Sequence, residues 1–146
     1  MREVVLDTET TGLNPDDGDR IVEIGCVELL NHLPTGEEFH TYINPGMTMP
    51  ESAFKIHGLS DEFLRDKPGI SDVLDAFLDF LGSSTLVIHN AEFDLKFLRR
   101  EISVVGGSRE LKNQVVDTLS EARKKFPGAQ ASLDALCRRF KIDNSD

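Results

Sequence analysis

Apolar residues follow two periods along this chain, and the change of period divides it. Near the N-terminus "REVVLDTE" is a short continuous apolar run, "RIVEIGCVEL" is a longer β-branched segment, and "EEFHTYINP" alternates Phe39, Thr41 and Ile43 before a proline stop. Such runs predict strands. Between the second and third, "NHLPTG" carries Asn, Pro and Gly and reads as a hairpin loop, so three antiparallel strands are expected to open the domain. After "NPGMTMP" the pattern turns helical. Ser60 is the N-cap candidate for "DEFLRD", and Ser71 for "DVLDAFLDFLG", where Val73, Leu74, Phe77, Leu78 and Leu81 recur at helical spacing up to Gly82. "TLVIH" then reads as a buried strand, "AEFDLKFLRREI" as a helix, "NQVVDTL" as a strand, and "SEARKKF" and "SLDALCRRF" as helices around a break at Pro127 and Gly128. Strands alternating with helices imply crossovers and parallel pairing. The predicted class is α/β: one mixed sheet, three antiparallel strands and then parallel ones, flanked by helices.

Candidate chemistry enters where two of these strands run out. On an extended segment residues two apart share a face, so Asp7 and Glu9 of "LDTETTG" present two carboxylates to one side at a strand end. Open sheets hold ligands beyond the carboxyl ends of their strands. Alone, this pair is more often a solvated strand end. Thr10, Thr11 and Gly12 add a small-residue turn whose backbone N–H groups and hydroxyls can meet a sugar or phosphate. In "IHNAEFD" a buried strand ends at His89 and Asn90, and Asp94 falls in the first turn of the next helix. The helix dipole alone favours an acid there, but Asp94 can also point back toward Asp7 and Glu9 if the two strands are neighbours. Three hard oxygen ligands suit Mg²⁺ or Mn²⁺ better than Zn²⁺. Two such ions, ~3.5–4 Å apart, would activate water and stabilise the leaving oxygen in phosphodiester cleavage.

Composition narrows this picture. With 146 residues, 39% of them hydrophobic, and no shift in composition, the chain is expected to form a single domain over residues 1–146. No apolar run approaches the ~20 residues of a membrane span, and "MREVVLD" lacks the apolar stretch of a signal peptide, so a cytoplasmic protein without a membrane partner is expected. Cys26 and Cys137 sit in apolar patterns without metal or redox spacing and read as buried thiols. Acids outnumber bases 26 to 16, a net charge of −10, which argues against a broad electrostatic grip on a polyanion. A nucleic acid would then be held by a few nucleotides at a metal-filled cleft, a partner protein supplying the wider grip. The plainer reading is an acidic surface that aids solubility.

The two acid clusters resemble motifs of the DEDD exonucleases, in the branch of epsilon-type proofreading subunits of bacterial replicative polymerases. "DTETTG" resembles the first exonuclease motif and "HNAEFD" the second; "HGLSDEFL", "VVDTLSEARKKFPG" and "SLDALCRRFKID" follow in the family's order over nearly the whole chain. The resemblance implies an RNase H-like fold and a 3′ to 5′ DNA exonuclease that uses two divalent ions, Mg²⁺ or Mn²⁺. It makes Asp7, Glu9 and Asp94 catalytic metal ligands and implies that Thr10, Thr11, Gly12 and Leu13 line the pocket of the 3′-terminal nucleotide, with His57 and Phe93 nearby. Ordinary packing is the competing role for Leu13 and Phe93. His89 reads as a strand-end residue satisfying a backbone group, Asn90 as a helix cap, and His32 and His40 as surface or hairpin residues. The implied partners are a DNA 3′ end, the polymerase catalytic subunit and other replicase subunits.

Two departures qualify the resemblance. Ser52, beside Glu51, stands where the family often has Glu, so a polar contact to substrate from that helix falls to Ser52. The family then continues into a third motif, a His followed five residues later by an Asp, which supplies the general base and the last ligand; this sequence stops at Asp146 before it, and Asp134, Asp143 and Asp146 do not match its spacing. Losing a positioned base costs ~10²–10⁴ in rate, so a chain ending there is expected to be strongly impaired. The alternatives are an RNA-trimming DEDD exonuclease and a catalytically impaired module that binds metal and nucleotide and docks on a polymerase.

Overall fold

In the computed structural model, which describes residues 1–125, β1 (Arg2–Thr10) lies at the centre of a five-stranded sheet. β2 (Ile21–Leu30) pairs with it antiparallel and β3 (Leu33–Tyr42) pairs antiparallel with β2, while β4 (Thr85–Ile88) runs parallel to β1 on its other side and β5 (Val115–Asp117) parallel to β4. The order is β3-β2-β1-β4-β5, and the sheet is mixed, antiparallel first and parallel later, as the pattern predicted. Helices α1 (Glu51–His57), α2 (Asp61–Leu64) and α3 (Ile70–Leu81) connect β3 to β4; α4 (Ala91–Val105) crosses from β4 to β5, and α5 (Thr118–Lys125) follows. The helix expected over "SLDALCRRF", Cys137, Asp134, Asp143 and Asp146 lie outside the described residues.

One face of the sheet carries the main core. Val4 and Leu6 of β1, Ile24 and Cys26 of β2, and Leu86 and Ile88 of β4 meet Leu74, Phe77, Leu78 and Leu81 of α3 and Leu95, Leu98 and Ile102 of α4. The helical spacing read in α3 is thus its buried stripe. A smaller cluster of Val22, Met49, Ala53 and Leu64 seats α1 and α2, with Tyr42 and Leu59 against it. Arg2 ties the layers together: its guanidinium donates to the carbonyls of Phe80 (2.7 Å) and Leu81 (3.1 Å) at the end of α3, where a cation meets the negative helix terminus.

Two boundaries differ from expectation. "NHLPTG" is not all loop: the hairpin turn is only Asn31 and His32, both left-handed (φ 52° and 68°), and β3 already begins at Leu33. Pro34 is tolerated because β3 is the edge strand, where a missing N–H leaves no ladder bond unmade. Ser71 is not the cap of α3. Gly69 is, and the side chain of Asp72 accepts its N–H at 3.2 Å, starting the helix two residues earlier. Ser60 does cap α2, accepting from Phe63 N at 3.1 Å, although that helix is one turn long.

Candidate active site

The end of β1 presents its side chains alternately. Asp7 is exposed and Glu9 half-buried on one face, while Thr8 is buried on the helix-covered face. Asp94, in the first turn of α4 and 4% exposed, meets that middle residue: Thr8 Oγ1 donates to Asp94 Oδ1 at 2.5 Å. Parallel pairing of Leu6 with Ile88 brings the two strand ends side by side, as the sequence required. Burial pushes the Asp94 carboxyl up to about 7 against the lowering effect of Thr8, and the charges of Asp7, Glu9 and Asp117 push the same way as burial. Glu9 also rises to about 7, from burial first and then from Asp7 and Glu23, its neighbour across the β1–β2 ladder. Among the described residues, no group of three or more His, Cys, Asp or Glu side chains is arranged to hold an ion as it stands. The donor chemistry nonetheless fits a divalent cation, because mutually repelling hard oxygens are poised to release protons in exchange for one.

The turn after β1 is built from within. Thr11 is fully buried; its N–H donates to the Arg20 carbonyl (2.8 Å), its hydroxyl to Asp19 Oδ1 (3.0 Å), and that hydroxyl accepts from Arg20 N (3.0 Å). Thr10 Oγ1 donates to the Gly12 carbonyl at 2.6 Å. Both threonine hydroxyls thus take part in closing the turn on itself. Gly12 packs so tightly on Asp19 that a Cβ there would overlap the Asp19 carboxylate. Leu13, 75% exposed, is the apolar side chain this turn offers outward.

His57 joins the turn from α1. Its Nδ1 accepts from Leu59 N (3.0 Å), so its proton lies on Nε2, which donates to the Thr10 carbonyl (3.1 Å). Ser52 stands exposed on the same helix. Phe93 is half-buried against the main core, 5.2 Å from the Phe97 ring, with Lys96 Nζ 5.1 Å over its face. His40, read as a surface residue, is on the surface but within 2.5 Å of Glu23, and so is linked to the Glu9 neighbourhood.

At the other strand end two expectations change. Asn90 makes no side-chain cap for α4, having a left-handed backbone (φ 60°). The cap comes from Asp117 at the end of β5, which accepts from Asn90 N and Ala91 N, both at 3.0 Å. His89 contacts the Thr118 hydroxyl (3.0 Å) rather than a backbone group. Sequence reading missed Asp117 and Thr8; the available signal for Asp117 was an acid between an apolar strand and a helix, an N-cap position.

The Exonuclease family model matches residues 4–146. The chain belongs to this exonuclease family. Its mixed sheet with flanking helices is the RNase H-like exonuclease fold, shared with Exonuclease X in complex with 5′ overhanging duplex DNA at 28% identity and a TM-score of 0.76, over 97% of this chain and 74% of that one. An ExoI/SSB-Ct complex superimposes with a TM-score of 0.84 at 18% identity, over 99% of this chain and 37% of that one, a likeness of fold alone. In sequence the exonuclease chain is 56% identical over 149 residues to the DNA polymerase III subunit epsilon of Rickettsia prowazekii, covering 99% of this chain and 65% of the relative. The corresponding Escherichia coli subunit is 47% identical over 151 residues, with 99% and 62% covered. The exonuclease chain thus spans less than two thirds of the length of the curated relatives it matches. No helix among its described residues is long and apolar enough to cross a membrane.

Proposed function

We propose that this chain is the exonuclease domain of a DNA polymerase III epsilon subunit, a cytoplasmic 3′ to 5′ exonuclease that removes mispaired nucleotides from a DNA 3′ end for the polymerase catalytic subunit and its replicase partners. The observation that supports this reading is a buried acid, Asp94, beside the end of β1, its carboxyl raised first by burial and further by the charges of Asp7 and Glu9. Asp7, Glu9 and Asp94 would hold two Mg²⁺ or Mn²⁺ ions, which supply water activation and stabilisation of the leaving oxygen. The chain's own residues do the positioning. Thr8 orients Asp94, and His57 fixes the Thr10 carbonyl on which the turn depends. Gly12 and Leu13 offer backbone and an apolar wedge to the terminal nucleotide, Ser52 a hydroxyl from α1, and Phe93 a partly exposed ring; the buried Thr10 and Thr11 shape the pocket from behind.

The likeness to proteins named as epsilon subunits supports the polymerase assignment. The net charge of −10 supports a short contact at the strand terminus rather than a long electrostatic track. The test is release of mononucleotides from a 3′-mispaired, end-labelled primer by the full-length protein in Mg²⁺ and in Mn²⁺. Asp7→Ala is expected to abolish metal-dependent release, and full activity in that variant would refute the assignment.

A further inference from the structure

The carboxylate of Asp117 is placed across two elements at once. Its Oδ1 accepts from Leu119 N (2.9 Å) and Ser120 N (3.4 Å), an ordinary N-cap for α5, and from Asn90 N (3.0 Å), while Oδ2 takes Ala91 N (3.0 Å). The pairing of Ile88 with Asp117 across β4 and β5 sets that reach, and the contact between His89 and Thr118 braces it. Helix α4 has no cap of its own, since Asn90 is left-handed and its side chain makes no cap bond. Burial works against the Asp117 charge, but the backbone N–H groups outweigh it and hold the carboxyl below its usual range. In the same first turn of α4 stand Phe93 and Asp94.

We propose that Asp117 is a positioning residue: by capping α4 from the neighbouring strand, it fixes where Asp94 and Phe93 stand against the end of β1. The proposal rests on the reading of Asp94 as a metal ligand. Asp117 does not touch the reacting atoms in this role; it acts through the start of the helix.

Asp117→Ser separates the two caps. Serine is a good N-cap for its own helix, so α5 keeps its start, but its short side chain cannot reach Asn90 and Ala91. In the full-length protein two quantities are read, Mn²⁺ affinity by the EPR signal of free ion and hydrogen exchange at the amides of Asn90 and Ala91, with Asp94→Ala as the reference for loss of the site. Expected are exchange at least ~10-fold faster at both amides and Mn²⁺ affinity ~10-fold weaker, the scale on which residues behind a metal ligand act. Unchanged exchange overturns the proposal, and if Mn²⁺ binding nonetheless weakens, Asp117 is merely a distant charge. Faster exchange with unchanged Mn²⁺ affinity overturns it as well, provided Asp94→Ala loses the ion. If wild type and Asp94→Ala bind Mn²⁺ alike, it is the metal reading that fails, and exchange alone decides whether Asp117 positions α4. Should the serine variant not fold, Asp117→Asn keeps one oxygen across the gap; a smaller loss of both quantities supports the proposal, and wild-type values overturn it.

Discussion

Helix α4 carries two buried acids on one face, roughly two turns apart, and they are treated in opposite ways. Glu101, 2% exposed, has both oxygens on the Arg20 guanidinium at 2.9–3.1 Å and also accepts from Ile21 N at 3.4 Å. Asp94, 4% exposed, has the Thr8 hydroxyl and an environment of further negative charge. At Glu101 the chain supplies its own counter-charge, and the result is a clamp between α4 and the loop that returns from Gly12 to β2. At Asp94 the charges of Asp7, Glu9 and Asp117 add to the cost of burial instead of offsetting it, which supports the proposed cation site. Burial of an acid therefore does not mark a site; the identity of what faces it does.

The comparison breaks most severely at Asp94. Asp94→Asn preserves the acceptor for Thr8 but removes the charge, and mononucleotide release by the full-length protein is expected to fall by about 10³-fold, the several kcal/mol a bound metal contributes. Glu101→Ala should leave metal affinity nearly intact while lowering stability by about 3 kcal/mol, because it strands a guanidinium clamped from one side. Denaturant unfolding beside Mn²⁺ titration separates the two ends of the helix. Asp94→Asn should also raise the melting temperature of the metal-free protein at pH 8, by an amount equivalent to about 1–2 kcal/mol. The sign follows from the raised acid: the folded chain keeps the proton up to about 7, the unfolded chain loses it near 3.8, so the cost is absent below 3.8, grows as pH rises, and is complete above 7. The stabilisation should accordingly vanish by pH 4. Least of all should matter the exposed pair of Arg100 and Asp16 (3.3 Å), which also bridges α4 to the turn; Asp16→Asn is expected to change stability by less than about 0.5 kcal/mol.

What the sequence made legible was whatever period and local order express. The alternation that put Asp7 and Glu9 on one face, the stripe of Leu74, Phe77, Leu78 and Leu81, and the position of Asp94 one turn into its helix all depend on near neighbours. The Asp117 cap was hidden because its partners lie 26 and 27 positions away and because Asn90 occupies the expected cap position with an unexpected backbone. The internal bonds of the threonine hydroxyls were hidden for a related reason. A small-residue turn shows that backbone is near, but only the return of Asp19 and Arg20 decides that Thr11 faces inward. The early start of β3 likewise depended on its being an edge strand, a fact about neighbours that Pro34 itself does not disclose.

The central place of β1 also governs how the molecule comes into being. Its partner on one side, β2, follows after the loop from Thr11 to Arg20, whereas its partner on the other side belongs to the far half of the chain, and the contact between Thr8 and Asp94 closes over 86 positions. Loop closure of that length is slow compared with a hairpin, so the first three strands can zip together while the other edge of β1 waits, bare and apolar, for β4. During synthesis that edge is the stretch most exposed to wrong pairing, and a fragment cut between β3 and β4 would keep it permanently open.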